Sequence, residues 1–320
     1  GVTSRAPAAA GARLVTPEHP EWPAEAFAAF EAAGIAQLAP PLALWVRGPG
    51  RLDELCGHAV AVVGARAATS YGAHVAAELG SGLADRACTV VSGAAIGIDG
   101  AAHRGALGVE GPTVAVLACG VDRSYPASHE LLLERIAASG LVVSEYPPGG
   151  VPARHRFLVR NRLIAGLAGG TVVVEAGPRS GAQRTASDAL SLGLPVMAVP
   201  GPVTSAMSVG CHRLVRDGAL LVTCTDEVLE AVAPIGEHLA GPPRLDAGRP
   251  TDGLEGPAAL VHDALPARAA RDTRWLALES GVPIGAVRTA LVALERRGLV
   301  EHCEGLWRRR AAEAADDLPA

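Results

Sequence analysis

Arginine supplies the first chemistry legible in this chain. Between residues 150 and 184 stand six arginines, Arg154, Arg156, Arg160, Arg162, Arg179 and Arg184, against one acid, Glu175. That window carries +5 in a chain whose formal net charge is −5. A guanidinium presents a planar fork of donors suited to phosphate or carboxylate oxygens. Six of them without compensating acids point to a phosphate-bearing ligand held in a local basic groove on an otherwise acidic surface. The run lacks helical spacing, so the arginines are expected in loops and helix starts beside the strand at 171–174. Aromatic rings near it are few, Phe157 and Tyr146, which gives base stacking little support. All 28 basic residues are arginine, a choice that reads as compositional, so arginine in place of lysine carries little functional weight at any one site.

Two glycine-rich turns lie upstream. In VVGARAATSYG at 62–72 a strand delivers Gly64 into a turn, and a helix follows Thr69 or Ser70. Exposed amides at such a helix start, with Arg66 alongside, suit a phosphate or another anion. No GxGxxG fingerprint and no GxxxxGKS/T phosphate loop is present. In VVSGAAIGIDGAAHRGAL at 90–107 the small residues Ser92, Gly93 and Gly97 leave room for a ligand above the strand ends. Asp99 and His103, four apart, read as a polar structural pair in which Asp99 caps the helix and fixes one tautomer of His103. Two such side chains are too few for a metal site. Glu175, at a strand end before GPRSGAQRT, is placed to orient arginines or meet a ribose or base, with Ser180 and Thr185 near the next helix start. No nucleophile–histidine–acid set or paired-carboxylate metal motif can be assembled. The expectation is a binding protein, not an enzyme, with no cofactor and no metal.

The elements that position these residues follow from the hydrophobic pattern. Short apolar runs recur at 59–63, 88–91, 113–118, 141–143, 171–174, 195–199 and 219–222, mostly separated by stretches of helical length. Near-continuous apolar runs mark strands covered on both faces, hence a mainly parallel sheet. Over 70–86 Val75, Leu79 and Leu83 recur every four residues behind Ser70, a candidate N-cap. The fold class is therefore α/β, a Rossmann-like doubly wound sheet over 59–233. Residues 1–58 read as an N-terminal extension, possessing a short helix in 19–34 and an edge strand at 41–48. A Pro- and Gly-rich linker spans 234–257. Three helices and a hairpin over 258–310 read as a small winged-helix-like domain, and 311–320 as a disordered tail.

Composition agrees with a globular chain: 49% hydrophobic, 19% charged and 3% aromatic residues. The six cysteines form no CxxC, and several sit inside apolar runs, where they are expected as small buried hydrophobes in a reducing compartment. No apolar stretch approaches the roughly 20 residues a bilayer requires, and no Lys/Arg-led leader opens the chain. A cytoplasmic location is expected.

The ordered motifs resemble the DNA-processing protein A (DprA/Smf) family. VVGARAATSYG, VVSGAAIGIDGAAHRGAL, TVAVLACGVDRSYP, VVSEYPPGG, FLVRNRLIAGL, VVVEAGPRSGA and PVMAVPGPVTSAMSVG appear in family order across roughly 59–222, and HPEWP and LWVRG extend the match upstream. The resemblance implies a Rossmann-like domain that binds single-stranded DNA, forms homodimers and helps load a RecA-type recombinase during natural transformation. It implies that Arg66 is the arginine of the first loop, that Ser92, Gly93, Gly97 and Asp99 form a SGxAxGID motif followed by His103, and that Arg160, Asn161 and Arg162 form an RNR core beside the DNA groove. Glu175, Ser180 and Gly181 match its EAxxxSG motif, and Pro200 and Gly201 its PG turn. On this reading Arg66, Ser92, Gly93, Arg154, Arg156, Arg160, Asn161, Arg162, Ser180, Gly181 and Arg184 contact DNA. Gln183, Arg184 and His212 depart from the family pattern. Two rivals remain: a nucleotide-processing hydrolase resembling the lysine-decarboxylase-like phosphoribohydrolases, whose PGGxGTxxE motif is absent, and a transcription factor reading duplex DNA through its C-terminal module.

Overall fold

Runs of β-branched residues favour extended backbone, and where both faces are apolar the strand must lie inside a covered sheet. A computed structural model describes residues 11–233, 254–266, 269–303 and 305–310. The chain divides into two compact units, Gly1–Gly241 and Pro242–Ala320. Residues 234–253 of the expected linker, and the expected tail at 311–320, lie outside the described residues.

In the first unit the elements run β1 (Ala12–Val15), α1 (Ala24–Ala33), β2 (Leu44–Arg47), α2 (Leu52–Gly57), β3 (Ala59–Val63), α3 (Ser70–Ala84), β4 (Thr89–Ser92), α4 (Ile98–Gly108) and β5 (Thr113–Val116). They continue through α5 (Glu130–Ser139), β6 (Leu141–Ser144), α6 (Arg154–Gly166), β7 (Thr171–Val173), α7 (Ala182–Ser191), β8 (Val196–Ala198), α8 (Val209–Arg216), β9 (Leu220–Leu221) and α9 (Thr225–Val232). One nine-stranded sheet has the order β1-β2-β6-β5-β4-β3-β7-β8-β9. From β3 to β9 every pairing is parallel. Strands after β3 build outward on one side through β4, β5 and β6, and then on the other through β7, β8 and β9. The winding therefore reverses between β3 and β7, where an open α/β sheet leaves a crevice at its strand ends.

Alternate residues of each strand serve opposite cores. Ala59, Ala61 and Val63 of β3 join Phe30, Leu163 and Ala186 on one face. Val60 and Val62 join Leu79, Leu83 and Ile98 on the other. Each such aliphatic side chain, fully buried, contributes about 1.5–3 kcal/mol, which explains the unbroken apolar runs. In α3, Leu79 and Leu83 are buried as their spacing requires, and Val75 is partly so. The side chain that caps this helix belongs to Thr69, one residue before Ser70, and accepts from the Gly72 amide.

The N-terminal residues do more than extend the domain. β2 pairs antiparallel with β6, and β1 with β2, so the sheet crosses the boundary expected at residue 58. The segment at 41–48 is an inner strand, and β1 is the edge. Leu44 and Val46 are buried while Trp45 and Arg47 are half-buried, an alternation that a search for doubly covered strands passes over. At the far side β9 is a two-residue edge strand with both leucines about half exposed.

The second unit contains α10 (Pro257–Ala264), α11 (Thr273–Ser280), α12 (Ile284–Arg296) and the hairpin β10 (Val300–Cys303) and β11 (Leu306–Arg309). Asp272 caps α11 by accepting from Trp275 N at 2.7 Å, and Gly281 ends it in the left-handed region. Val261, Leu265, Leu276, Val287, Leu291 and Leu294 form its core. Three helices and a hairpin make it a winged-helix-like module. Cys56, Cys88, Cys119 and Cys211 are buried, and burial pushes the thiols of Cys56 and Cys88 up to about 12. Among the described residues no single helix is long and apolar enough to cross a membrane.

Candidate nucleic-acid interface

Helix starts collect at the crevice, and that of α3 is already occupied. Thr69 N donates to Glu175 Oε2 at 2.9 Å, and Thr69 Oγ1 to Oε1 at 2.6 Å, so the Glu175 carboxylate sits on the N-terminus of α3. That is the place expected for a phosphate. Glu175 is 3% exposed and pairs with no arginine among the described residues. At α4 the Asp99 carboxyl accepts from Ala95 N at 3.3 Å. Burial pushes the Asp99 pKa up, and the Arg160 charge opposes that shift.

The small residues expected to admit a ligand admit protein instead. A Cβ on Gly64 would lie 2.5 Å from Ile98 Cγ1, and one on Gly93 2.5 Å from Arg160 Nη1. Gly97, at φ +90°, lets the backbone pass beside the Ala65 carbonyl, 2.3 Å from where its Cβ would be. Ser92 is fully buried and donates to Val62 O at 2.6 Å. Ser92 therefore stands away from any DNA surface, a correction to the expected contact, whereas Gly93 lines one of the cavities described below. His103 pairs with Thr113 Oγ1 at 2.7 Å. Because that hydroxyl donates onward to Val90 O, His103 Nδ1 donates, and Thr113 in place of Asp99 sets the tautomer. Burial lowers the His103 pKa to about 3.

The six arginines separate by partner. Arg154 to Gly166 form one helix, α6, so the run is helical after all. Arg160 is 5% exposed and donates through Nη1 to the carbonyls of Gly93 and Val116. Burial lowers its pKa to about 10, with Asp99 opposing the shift. Arg162 forks onto Glu145, at 3.0 and 2.7 Å. Glu145 lies outside the window in which acids were counted. Both arginines brace α6 against the sheet through these bonds, while the buried Arg160 Nε is left without a partner among the described residues. Arg184 pairs with Asp188 at 2.9 Å but stays half exposed. Arg156 donates to Val151 O and lies over the Tyr146 ring, 4.3 Å from its centroid. Arg154 and Arg179, with Arg66 from the first loop, are exposed and have no hydrogen-bond or ion-pair partner among the described residues.

Those three arginines rim one trough. A cavity of about 540 Å³ at the β3/β7 reversal is lined by Arg66, Arg179, Ser180 and Gly181, with Arg160, Asn161 and Asp99 as its polar floor. A second, about 530 Å³, continues past Arg66 to Arg154, and a third, about 270 Å³, runs between Ala95, Ile96 and Pro126. Arg66 and Phe157 line all three. Phe157 lies 5.2 Å from the Tyr125 ring, and Arg66 sits 5.5 Å over Phe157. Tyr125, 41% exposed, was missed in the sequence, where the SYP turn offered no pattern to tie it to Phe157. One helix start remains open along this trough: α6 has no side-chain cap and begins with Arg154 and Arg156, opposite to what its dipole favours unless an anion is bound. The first amides of α7 are already taken, Gln183 N by Ser180 O and Arg184 N by Gly181 O. Ser180 Oγ accepts from Ala182 N at 3.3 Å, and Asn161 donates to Gly181 O at 3.4 Å.

The departures from the family pattern have local partners. Gln183 donates to Gly177 O at 2.8 Å, and the His212 ring meets Gly201 O at 2.9 Å. Pro200 O accepts from Tyr71 Oη at 2.7 Å. Pro200 and Gly201 thus tie α3 and α8 to the strand end after β8. Among the described residues no group of three or more His, Cys, Asp or Glu side chains could hold a metal ion.

Comparison with known proteins agrees with this fold. The chain is 55% identical over 302 residues to the DNA processing protein DprA of Mycobacterium tuberculosis, across 93% of this chain and 77% of that protein. It superposes on the crystal structure of DNA processing protein A from Streptococcus pneumoniae with a TM-score of 0.62 and 36% identity, over 69% of this chain and 75% of that one. It also superposes on DNA processing protein A from Helicobacter pylori, described for its single-stranded DNA binding mode, with a TM-score of 0.55 and 28% identity, over 60% and 86%. The family model for DNA recombination-mediator protein A matches residues 13–233, the whole sheet from β1 through α9, and the chain belongs to that family.

Proposed function

We propose that the trough at the β3/β7 reversal binds single-stranded DNA without sequence preference. The observation that carries this reading is the alignment of three arginines without a hydrogen-bond or ion-pair partner among the described residues, the uncapped start of α6 and the Phe157–Tyr125 ring pair along one groove. Arginines and open amides hold phosphates, while rings accept bases only from a strand whose bases are unstacked, which favours single strands over duplex. Arg66, Arg154 and Arg179 are the phosphate ligands, with Ser180 and Gly181 at the start of α7; Phe157 and Tyr125 are the stacking platform. Arg160, Asn161 and Asp99 support the floor. No covalent step is assigned to the site.

The family description as a recombination mediator supports the wider reading: the chain protects incoming single strands in the cytoplasm, acts as a homodimer, and passes the strand to a RecA-type recombinase. Anisotropy titrations of a labelled oligothymidylate and a duplex of equal length test the binding step. Tighter binding of the single strand, weakened by salt, is expected. Equal affinity for the two, or no salt dependence, refutes the trough assignment.

A further inference from the structure

In sheets of this topology the helix start after the first strand at the reversal is where a nucleotide phosphate docks. Here an internal anion stands in that place. Both Glu175 oxygens accept from Thr69, and the side chain is 3% exposed. The first turn of α3 is carved to take it: a Cβ on Gly72 would lie 2.2 Å from Glu175 Oε2 and 2.3 Å from its carboxyl carbon. The start of α6, by contrast, has no side-chain cap and lies along the trough rim beside Arg154.

We propose that Glu175 is a specificity-determining residue, a built-in anion that closes the phosphate site at the start of α3 against free mononucleotides and inorganic phosphate. What remains for phosphate is the spread of rim arginines, each weak alone and effective only when one polyanion engages several together. A mononucleotide has one phosphate and gains little there; a strand presents many. The consequence for substrate class rests on the reading of the trough as a polyanion site, whereas the filling of the α3 start by Glu175 does not.

The test uses the full chain with Glu175→Ala and Glu175→Gln. Thermal unfolding is followed in sodium phosphate and in sodium chloride at matched ionic strength, and again with thymidine monophosphate, each variant compared with wild type. The alanine variant empties the site and is expected to gain stabilisation from phosphate and from thymidine monophosphate. A site with a dissociation constant of about 1 mM lowers the unfolded fraction roughly tenfold at 10 mM ligand. Glutamine fills the same space, so that variant and wild type show no such gain. An alanine variant that folds yet responds as wild type does overturns the proposal. So does an alanine variant that folds in neither buffer while the glutamine variant folds, because Glu175 would then serve the fold alone. Failure of the wild type to bind single-stranded DNA is read in a separate titration and refutes the trough reading while leaving the phosphate result to stand.

Discussion

Replacing Arg162 by alanine removes the fork that holds Glu145 through Nη1 and Nη2, at 3.0 and 2.7 Å. The two side chains are only 10% and 18% exposed, so the carboxylate left behind stays mostly out of water without its partner. Breaking such a pair from one side costs about 3–5 kcal/mol, a large share of the roughly 5–15 kcal/mol that holds a domain folded. Urea unfolding should show the loss as a lower midpoint at unchanged slope. The double variant Arg162→Met with Glu145→Met removes both charges and should recover most of it, since a buried pair exchanged for apolar side chains of similar volume is near neutral. Titrated below its transition, the Arg162→Ala protein should bind oligothymidylate within about twofold of wild type. An Arg162→Ala chain as stable as wild type but several-fold weaker on DNA would mean that the guanidinium serves phosphate, and the assignment to Glu145 would be wrong.

Three further outcomes follow from other parts of the site. Burial depresses the folded-state pKa of His103 from 6.5 to about 3, so its contribution is complete above pH 6.5 and is lost as pH falls towards 3. At pH 5 that amounts to about 2 kcal/mol relative to pH 8. His103→Asn keeps a donor towards Thr113 and does not titrate, so the difference between wild-type and variant pH profiles isolates the imidazole; a constant difference between pH 8 and pH 5 refutes it. Phe157→Ala should weaken oligothymidylate binding by about 1–3 kcal/mol if a base stacks on the ring, with the salt slope unchanged. Unaltered affinity removes Phe157 from the interface. Gly72→Ala should destabilise the chain by about 1–3 kcal/mol, because its methyl group enters the space of the Glu175 carboxyl; a wild-type urea midpoint would show that Glu175 can move aside freely.

The parallel strands from β3 to β8 were legible because each is buried on both faces, so Val60 to Val63 and Val172 to Val174 read as unbroken apolar runs. β1 and β2 were less so, since an antiparallel strand of four residues with half-buried alternate positions resembles ordinary chain. Within the site, the excess of arginine was visible but its division was not. Arg160 Nη1 meets carbonyls of residues 93 and 116, Arg162 an acid 17 positions upstream, and Thr69 a carboxylate 106 positions away. Such pairings depend on how strands are ordered in the sheet, which no local pattern carries. The same applies to Tyr125, brought beside Phe157 only by the fold.

The most direct test of the trough is the salt dependence of binding by the Arg66→Ala, Arg154→Ala, Arg179→Ala triple variant. None of the three side chains has a hydrogen-bond or ion-pair partner among the described residues, so stability should change little. If each holds one phosphate, the slope of log affinity against log salt should flatten by about 2 units, at about 0.7 per phosphate on single strands, and binding at low salt should fall by orders of magnitude. A folded triple variant with the wild-type slope and affinity would contradict the account and place the nucleic-acid site elsewhere on the chain.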